Sequence, residues 1–394
     1  MDLISKFYGE SKDYFASRNC EHTAKEIAHQ PDMWRGLVAC LQDNKQNIAD
    51  FMHKLGDLSQ MRIVLTGAGS SGFVGRVVGG YISEAIGLSC EAIHTTDIVA
   101  SPKNCFPSAL KDKPTLLISF ARSGNSPESV GAVQVARKLS NNLYELAIVC
   151  DGGSLLSNTT RESDKGMVLV MPEGTNDKGF AMTSSVSTMI LAGFAVLSGY
   201  DIDTIASDIA ILANSIEEKG PELANAAKTC AGWDSKRAWY LGCGPIVGLT
   251  QEGALKMMEL TNGAVVAGYN NAPEFRHGPK TVMTPQTLTV HFVSPNAYTA
   301  QYDADLLKEI YSQKDGNKVV AIHDENSVYN ADLAVKYSSA KYVKCGEIAV
   351  GIQGLVFMQL LSVYSSLALQ VPTDNPSPSG LVNRVVQGVT VYNY

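Results

Sequence analysis

The chain carries a second, weaker copy of itself. Arg62-Ile-Val-Leu-Thr-Gly-Ala-Gly69 is echoed by Ala238-Trp-Tyr-Leu-Gly-Cys-Gly244, and Thr115-Leu-Leu-Ile-Ser-Phe120 by Thr287-Leu-Thr-Val-His-Phe292. Leu146-Ala-Ile-Val-Cys-Asp151 parallels Val320-Ala-Ile-His-Asp324, and Met167-Val-Leu-Val-Met171 parallels Lys341-Tyr-Val-Lys-Cys345. The four blocks keep one order at offsets of 172–175 residues. Helical stretches lie between them, Gly131–Leu139 in the first copy and Ala300–Tyr311 in the second. Short apolar runs alternating with helices predict parallel βαβ units buried on both faces. The expected fold class is therefore α/β, with two tandem doubly wound parallel sheets whose ligands bind at the carboxyl ends of the strands. Residues 1–60 show no strand pattern and read as a helical lead-in, punctuated by Asp32, Gly56 and Ser59. The expected domains are a helical segment over 1–50, a first α/β domain over 51–218 and a second over 219–394. Their boundary is placed at Lys219-Gly220-Pro221. The Pro/Ser-rich stretch Pro372–Gly380 is expected to be an ordered extended loop.

Composition narrows the function classes. Charged residues make up 18% of the 394, below the usual ~25%. That shortfall suggests a surface partly covered by another copy of the chain, a homo-oligomer. The 32 basic and 39 acidic residues give a net charge of −7, with no run of Lys or Arg. Nucleic acid and anionic lipid both require a basic footprint, so neither is an expected partner. The eight cysteines show no CxxC spacing and sit mostly among apolar residues. They read as reduced thiols of a cytoplasmic protein. No cationic-then-apolar leader opens the sequence, and neither apolar stretch (186–199, 350–369) reads as a membrane span. The histidines form no HxH or HExxH pattern, so no metal site is proposed.

Two loops of the first copy suit an anion. Gly67-Ala-Gly-Ser-Ser-Gly72 lies between a strand and a helix and fits GxGxxG. A dinucleotide site would need an acid about 20 residues on, for which Glu91 and Asp97 are candidates. Ser119-Phe-Ala-Arg-Ser-Gly-Asn-Ser-Pro-Glu-Ser129 follows the next strand. Ser126 followed by Pro127 reads as an N-cap and a first-turn proline. Arg122, Ser123, Asn125 and Ser126 then gather at a helix N-terminus, which suits a phosphomonoester. An ordinary capped Ser/Gly loop has the same composition. The second copy decides between them, because Pro295 and Tyr298 stand there in place of Ser123 and Ser126. One phosphate site, in the first half, is the expectation. Thr183 and Ser184, after a later strand, either extend its rim or cap a helix.

In Leu249-Thr-Gln-Glu-Gly-Ala-Leu-Lys-Met-Met-Glu-Leu260, Glu252, Lys256 and Glu259 are spaced i, i+4, i+7. They share one helix face. Taken alone this is a solvated face with a helpful ion pair, and His277 in Pro273-Glu-Phe-Arg-His-Gly-Pro279 reads as a solvated loop histidine.

Together these segments resemble the sugar isomerase (SIS) domain family. The resemblance rests on Gly-Ala-Gly-Ser-Ser, Ser-Phe-Ala-Arg-Ser-Gly-Asn-Ser, Glu-Gly-Ala-Leu-Lys-x-x-Glu and Glu-Phe-x-His-Gly-Pro, and it runs from about residue 50 to the C-terminus. The order is similar to the tandem isomerase half of glucosamine-6-phosphate synthase. The layout and the tail Asn-Pro-Ser-Pro-Ser-Gly-Leu-Val-Asn-Arg look closer to bacterial galactosamine-6-phosphate deaminase/isomerases. The resemblance implies that Ser70, Ser71, Arg122, Ser123 and Ser126 hold a 6-phosphate. It implies Glu259 as the base between C2 and C1, and Lys256 and Glu252 as orienting and polarising groups. His277 would open the sugar ring from a neighbouring subunit. In the synthase a tail lysine joins the sugar site. Here Gln387 aligns with it and Arg384 lies nearby, which leaves the tail's role open.

No glutaminase segment precedes the pair, so the expected direction is catabolic: amino-aldose phosphate in, ketose phosphate and ammonium out. The expected chemistry calls for no cofactor. Three readings remain: this deaminase/isomerase, an aldose–ketose isomerase using the same residues, and a non-catalytic sugar-phosphate-binding regulator. A dinucleotide-dependent dehydrogenase ranks last, since it leaves the serine-rich second loop unused.

Overall fold

The computed structural model describes residues 2–386 and 388–394. The chain divides into two compact units, each woven from separate stretches. One comprises Met33–Asn176, Ser184–Asp203 and Val382–Tyr394; the other comprises Met1–Asp32, Asp177–Thr183 and Thr204–Leu381.

The first unit holds a sheet of five parallel strands, β1 (Arg62–Gly67), β2 (Cys90–His94), β3 (Thr115–Ala121), β4 (Leu143–Val149) and β5 (Gly166–Val170). Their spatial order is β2-β1-β3-β4-β5. The inner strands β1 and β3 are buried at every residue, as apolar runs covered on both faces must be. Leu65 pairs with Ile118, and Phe120 with Ile148. The helix Ser184–Leu197 is buried throughout its length. Gly193 lets it approach the sheet, since a Cβ there would sit 3.0 Å from the Phe120 ring.

The second unit repeats the plan with β6 (Arg237–Gly242), β7 (Val266–Asn271), β8 (Thr287–Phe292), β9 (Lys318–Asp324) and β10 (Leu333–Tyr337). These too are parallel, and their order is β7-β6-β8-β9-β10. Both sheets therefore run 2-1-3-4-5, and each has its switch point between the first and third strands. The helix Gly346–Ala368 is long and apolar enough to cross a bilayer by length and composition, yet its apolar window is wholly buried in the protein. It is the core helix of this unit.

Three expectations need correction. Lys341–Cys345 is not the counterpart of β5; the fifth strand of the second sheet is Leu333–Tyr337, paired with β9. Lys341–Cys345 is a turn instead, and the N–H groups of Val343, Lys344 and Cys345 donate to the carboxylate of Asp208 rather than to a strand. The boundary expected at Lys219-Gly220-Pro221 falls inside the unbroken helix Ile202–Ala231. Gly220 is there for packing, since a Cβ would lie 2.7 Å from the Phe7 ring. Compactness also divides the chain differently from the expected 1–50, 51–218 and 219–394: the first 32 residues belong with the second sheet, and the last 13 with the first. The lead-in is helical, and Gly56, at φ 73°, ends the helix Lys45–Leu55. Asp32, expected as punctuation, sits in the first turn of the helix Gln30–Asp43.

Candidate active site

In the first unit, the loops after β1 and β3 meet the switch point. Gly67 is required where the chain turns into the helix Ser70–Ile86, because a Cβ would come 2.5 Å from the Ser71 carbonyl carbon. Gly69, at φ 55°, precedes the helix and supplies no side-chain cap. Gly72 brings the helix against β2, where a Cβ would meet the His94 ring at 2.3 Å. Ser70 and Ser71 thus open a helix at the end of β1, both buried. Of the two acids a dinucleotide would use, Glu91 is held bidentately by Arg62, at 2.7 Å to each nitrogen. Asp97 lies in the short helix Thr95–Ala100.

Arg122 is buried and Ser123 half-buried in the loop that leaves β3. Gly124 adopts φ 61° and lies so close to Ser154 Oγ that a Cβ would be 2.3 Å away. Asn125, grouped with the anion site from sequence, turns instead to the N–H of Leu155, 3.0 Å away, at the start of the helix Leu155–Arg161. Ser126 holds the extended backbone of an N-cap ahead of Pro127–Leu139, but its hydroxyl makes no capping bond. That hydroxyl faces Ser129 Oγ at 2.7 Å. The N-terminal N–H groups of this helix therefore have no side-chain cap, the arrangement that favours an anion.

The second unit handles the same position differently. Asn296 caps the helix Ala297–Ser312 by accepting from the N–H groups of Tyr298 and Thr299 at 3.0 and 3.2 Å. Buried Asp303 accepts the N–H of Ser294, 3.0 Å away, at the end of β8. Side chains of the chain itself fill the place that the first unit leaves open.

The C-terminal tail joins the first unit at the Arg122 loop. Arg122 Nη2 donates to the Arg384 carbonyl at 2.7 Å, and Arg384 Nη2 donates to Asn176 Oδ1 at 3.1 Å. Further along, Lys138 Nζ reaches the Tyr394 carbonyl oxygen at 2.6 Å, and Val391 packs on Gly131. Gln387 lies outside the described residues. Of the rim pair, Ser184 begins the helix Ser184–Leu197 and is fully buried. Thr183, in the second unit, is also fully buried, and its N–H donates to Asp177 Oδ2 at 2.9 Å.

In the second unit the helix Ile246–Leu260 leaves β6 through Gly244, at φ 59°. Glu252, Lys256 and Glu259 share a face as their spacing predicts, but that face is not solvated. Glu252 and Lys256 side chains are each 1% exposed, and Glu259 is 26% exposed. The helix packs on Gly346–Ala368, and Gly253 sits where a Cβ would come 2.6 Å from Met358 Sδ. Lys256 Nζ lies 3.3 Å from Glu252 Oε1 and bonds Glu259 Oε2. Burial alone pulls the Lys256 ammonium down, but the two carboxylates outweigh it, and its pKa stands above the ordinary 10.5. The result is a buried cation between two carboxylates, one of which reaches solvent. Such a group can orient a polar ligand and move a proton.

His277 stands apart from that cluster. It follows the short helix Ala272–Phe275, is exposed, and its imidazole makes no hydrogen bond among the described residues. Sequence reasoning missed Asn176, Asp177 and Glu26, which shape the loop before Thr183. Their only signal was an aspartate six residues ahead of Thr183.

The SIS domain family model matches residues 58–198. The D-galactosamine-6-phosphate deaminase AgaS of Shewanella sp. (strain ANA-3) is 36% identical over 375 residues, covering 94% of this chain and 92% of the relative. The enzyme of that name from Escherichia coli is 36% identical over 373 residues, with 94% and 95% covered. The crystal structure of tagatose-6-phosphate ketose/aldose isomerase from Escherichia coli superposes with a TM-score of 0.84 at 33% identity, covering 94% of this chain and 96% of that one.

Proposed function

Since the chain belongs to the AgaS family of SIS-domain proteins, we propose that it is a sugar-phosphate deaminase/isomerase. Its substrate is galactosamine 6-phosphate, and its products are tagatose 6-phosphate and ammonium. The observation that carries this reading is the buried Glu252–Lys256–Glu259 constellation. A purely sugar-phosphate-binding regulator has no need to bury a lysine between two carboxylates.

Ser70, Ser71, Arg122, Ser123 and Ser126 bind the 6-phosphate at the uncapped helix start, and Thr183 and Ser184 serve the same substrate. Glu259, the one of the two carboxylates that reaches solvent, takes the C2 proton of the open-chain amino-aldose. The C2–H electron pair forms a C1=C2 double bond, and the aldehyde oxygen is protonated, giving an enolamine. Return of a proton to C1 gives a ketimine at C2. Water adds to C2, the C–N bond breaks, and ketone and ammonium leave. C1 is reduced as C2 is oxidised, so no external oxidant or reductant enters. Lys256 holds the developing negative charge on the substrate oxygen, and Glu252 holds Lys256.

Ring opening falls to His277. Its exposed imidazole, unbonded among the described residues, supports a role in the site of a second copy, and the low charged fraction supports a homo-oligomer. The isomerase name of the Escherichia coli structure favours one second reading, aldose–ketose isomerisation without deamination. Offering galactosamine 6-phosphate, glucosamine 6-phosphate and tagatose 6-phosphate separately, while following ammonium and ketose together, separates the two. Ammonium released in step with ketose, from the galacto epimer, supports the proposal. Ketose–aldose exchange without ammonium overturns it.

A further inference from the structure

Glu26 lies in the helix Glu21–Ala28, far in sequence from every residue assigned above, and is 5% exposed. Its carboxylate accepts the N–H of Lys178 and, at 3.1–3.2 Å, the N–H of Gly179. Two successive backbone donors thus converge on one buried carboxyl group. Gly179 makes the approach possible, since a Cβ there would lie 2.7 Å from Thr23 Oγ1 and 2.9 Å from Glu26 Oε2. Asp177, 1% exposed, closes the other end of the same loop through the N–H of Thr183. The seven residues Asp177–Thr183 are therefore pinned by two buried carboxylates, one from the loop itself and one from the N-terminal helix.

We propose that Glu26 is a positioning residue, which clamps the loop Asp177–Thr183 and so sets Thr183 for the sugar phosphate. This rests on the role given to Thr183 above. The clamp is also sensitive to protons. Burial first, and then the neighbouring charge of Asp177, push the Glu26 carboxyl up to about 8, while the Lys178 and Gly179 donors oppose the rise. Asp374 adds to the rise from the tail loop. Burial lowers His29, the residue that closes the same helix, although the charge of Asp177 opposes this. A carboxyl raised from 4.5 contributes its stability in full below pH 4.5 and loses it as the pH climbs through about 8. Above that pH two ionised carboxylates share the loop.

Hydrogen exchange on the full ligand-free chain tests the clamp without reference to activity. In Glu26→Ala, protection of the Lys178 and Gly179 amides is expected to fall about tenfold or more, the usual consequence of leaving buried donors without their acceptor. Protection in β1 and β3 should not change. Glu26→Gln keeps an acceptor oxygen without the charge, so it is expected to retain protection and to lose the alkaline fall shown by the parent. Unchanged loop protection in Glu26→Ala, or a Glu26→Gln variant as unprotected as Glu26→Ala, overturns the clamp. With galactosamine 6-phosphate, Glu26→Ala should raise KM more than it lowers kcat, and Glu26→Gln should restore it. Lost protection with an unchanged KM overturns the positioning role. A parent chain that turns over no amino-sugar phosphate is a failure of the functional reading instead, and the exchange data then judge the clamp alone.

Discussion

Lys256 Nζ lies 3.3 Å from Glu252 Oε1, and neither side chain is more than 1% exposed. A pair this deep is held against a large desolvation cost, so breaking it from one side is expensive. Glu252→Gln and Lys256→Met are each expected to destabilise the chain by about 3–5 kcal/mol, read from denaturant midpoints. The lysine's pKa stands above 10.5, so its contribution is complete below that pH and is lost as the pH rises past the folded value. The parent should therefore show an alkaline loss of stability that Lys256→Met lacks.

Glu259, more exposed than its neighbours, should tolerate change. Glu259→Gln is expected to keep the fold and ligand affinity while turnover falls by ~10²–10⁴. Exchange of the C2 hydrogen with deuterated solvent should stop. If exchange persists in this variant, the base is another group, and Glu252 is the next to test.

The two helix starts predict a contrast. Ser123→Ala, at the uncapped start, is expected to raise KM by roughly 10–150-fold with little change in kcat, the loss of one hydrogen bond to a charged acceptor. Asn296→Ala, at the self-capped start, should cost about 1 kcal/mol of stability and leave KM alone. Equal effects of both variants on KM would remove the assignment of the phosphate to the first unit.

The tail acts on the Arg122 loop through its backbone. Arg384→Ala keeps the carbonyl that Arg122 uses, so its effect on KM is expected to be smaller than that of deleting residues 382–394. Isothermal titration with a sugar phosphate should rank the deletion weakest, then Arg384→Ala, then the parent. An intact affinity in the deletion variant argues against the tail as a support for Arg122.

The proposed role of His277 in the site of a second copy is open to a complementation test. Co-expressed Glu259→Gln and His277→Ala subunits, each expected to be inactive alone, are expected to form mixed dimers in which the reciprocal sites of a C₂ pair hold either both lesions or neither. Activity should return in the doubly tagged fraction. A mixture that stays inactive, or a fully active monomer, means that His277 serves its own chain.

Much of this architecture is written in local runs of residues. β1, β3, β4, β8 and β9 are buried along most of their length and β6 over its last three residues, so each is a short apolar stretch that any reader of the sequence can mark. The edge strand Cys90–His94 is half-exposed and carries no such run. It and β7 were invisible for that reason. The fifth strand of the second sheet was misplaced because Tyr342-Val-Lys-Cys345 has strand composition, whereas its amides are claimed by Asp208, which is 137 residues from Cys345.

The site divides along the same line. The spacing of Glu252, Lys256 and Glu259 on one helix face follows from helical geometry, and the sequence alone determined it. Whether that face meets water or protein did not follow, because burial depends on the helix Gly346–Ala368 packed beside it. The hydroxyl-rich loop of the first copy, and its absence from the second, were equally plain in the sequence. That Ser126 leaves its helix uncapped while Asn296 closes its own depends on side-chain rotation, which no local pattern encodes. Gly220-Pro221 has the composition of a linker, yet Phe7 packs against Gly220 and the helix runs on. Local sequence sets what a segment is able to form; contacts between residues hundreds of positions apart decide which groups are dry, charged and aimed.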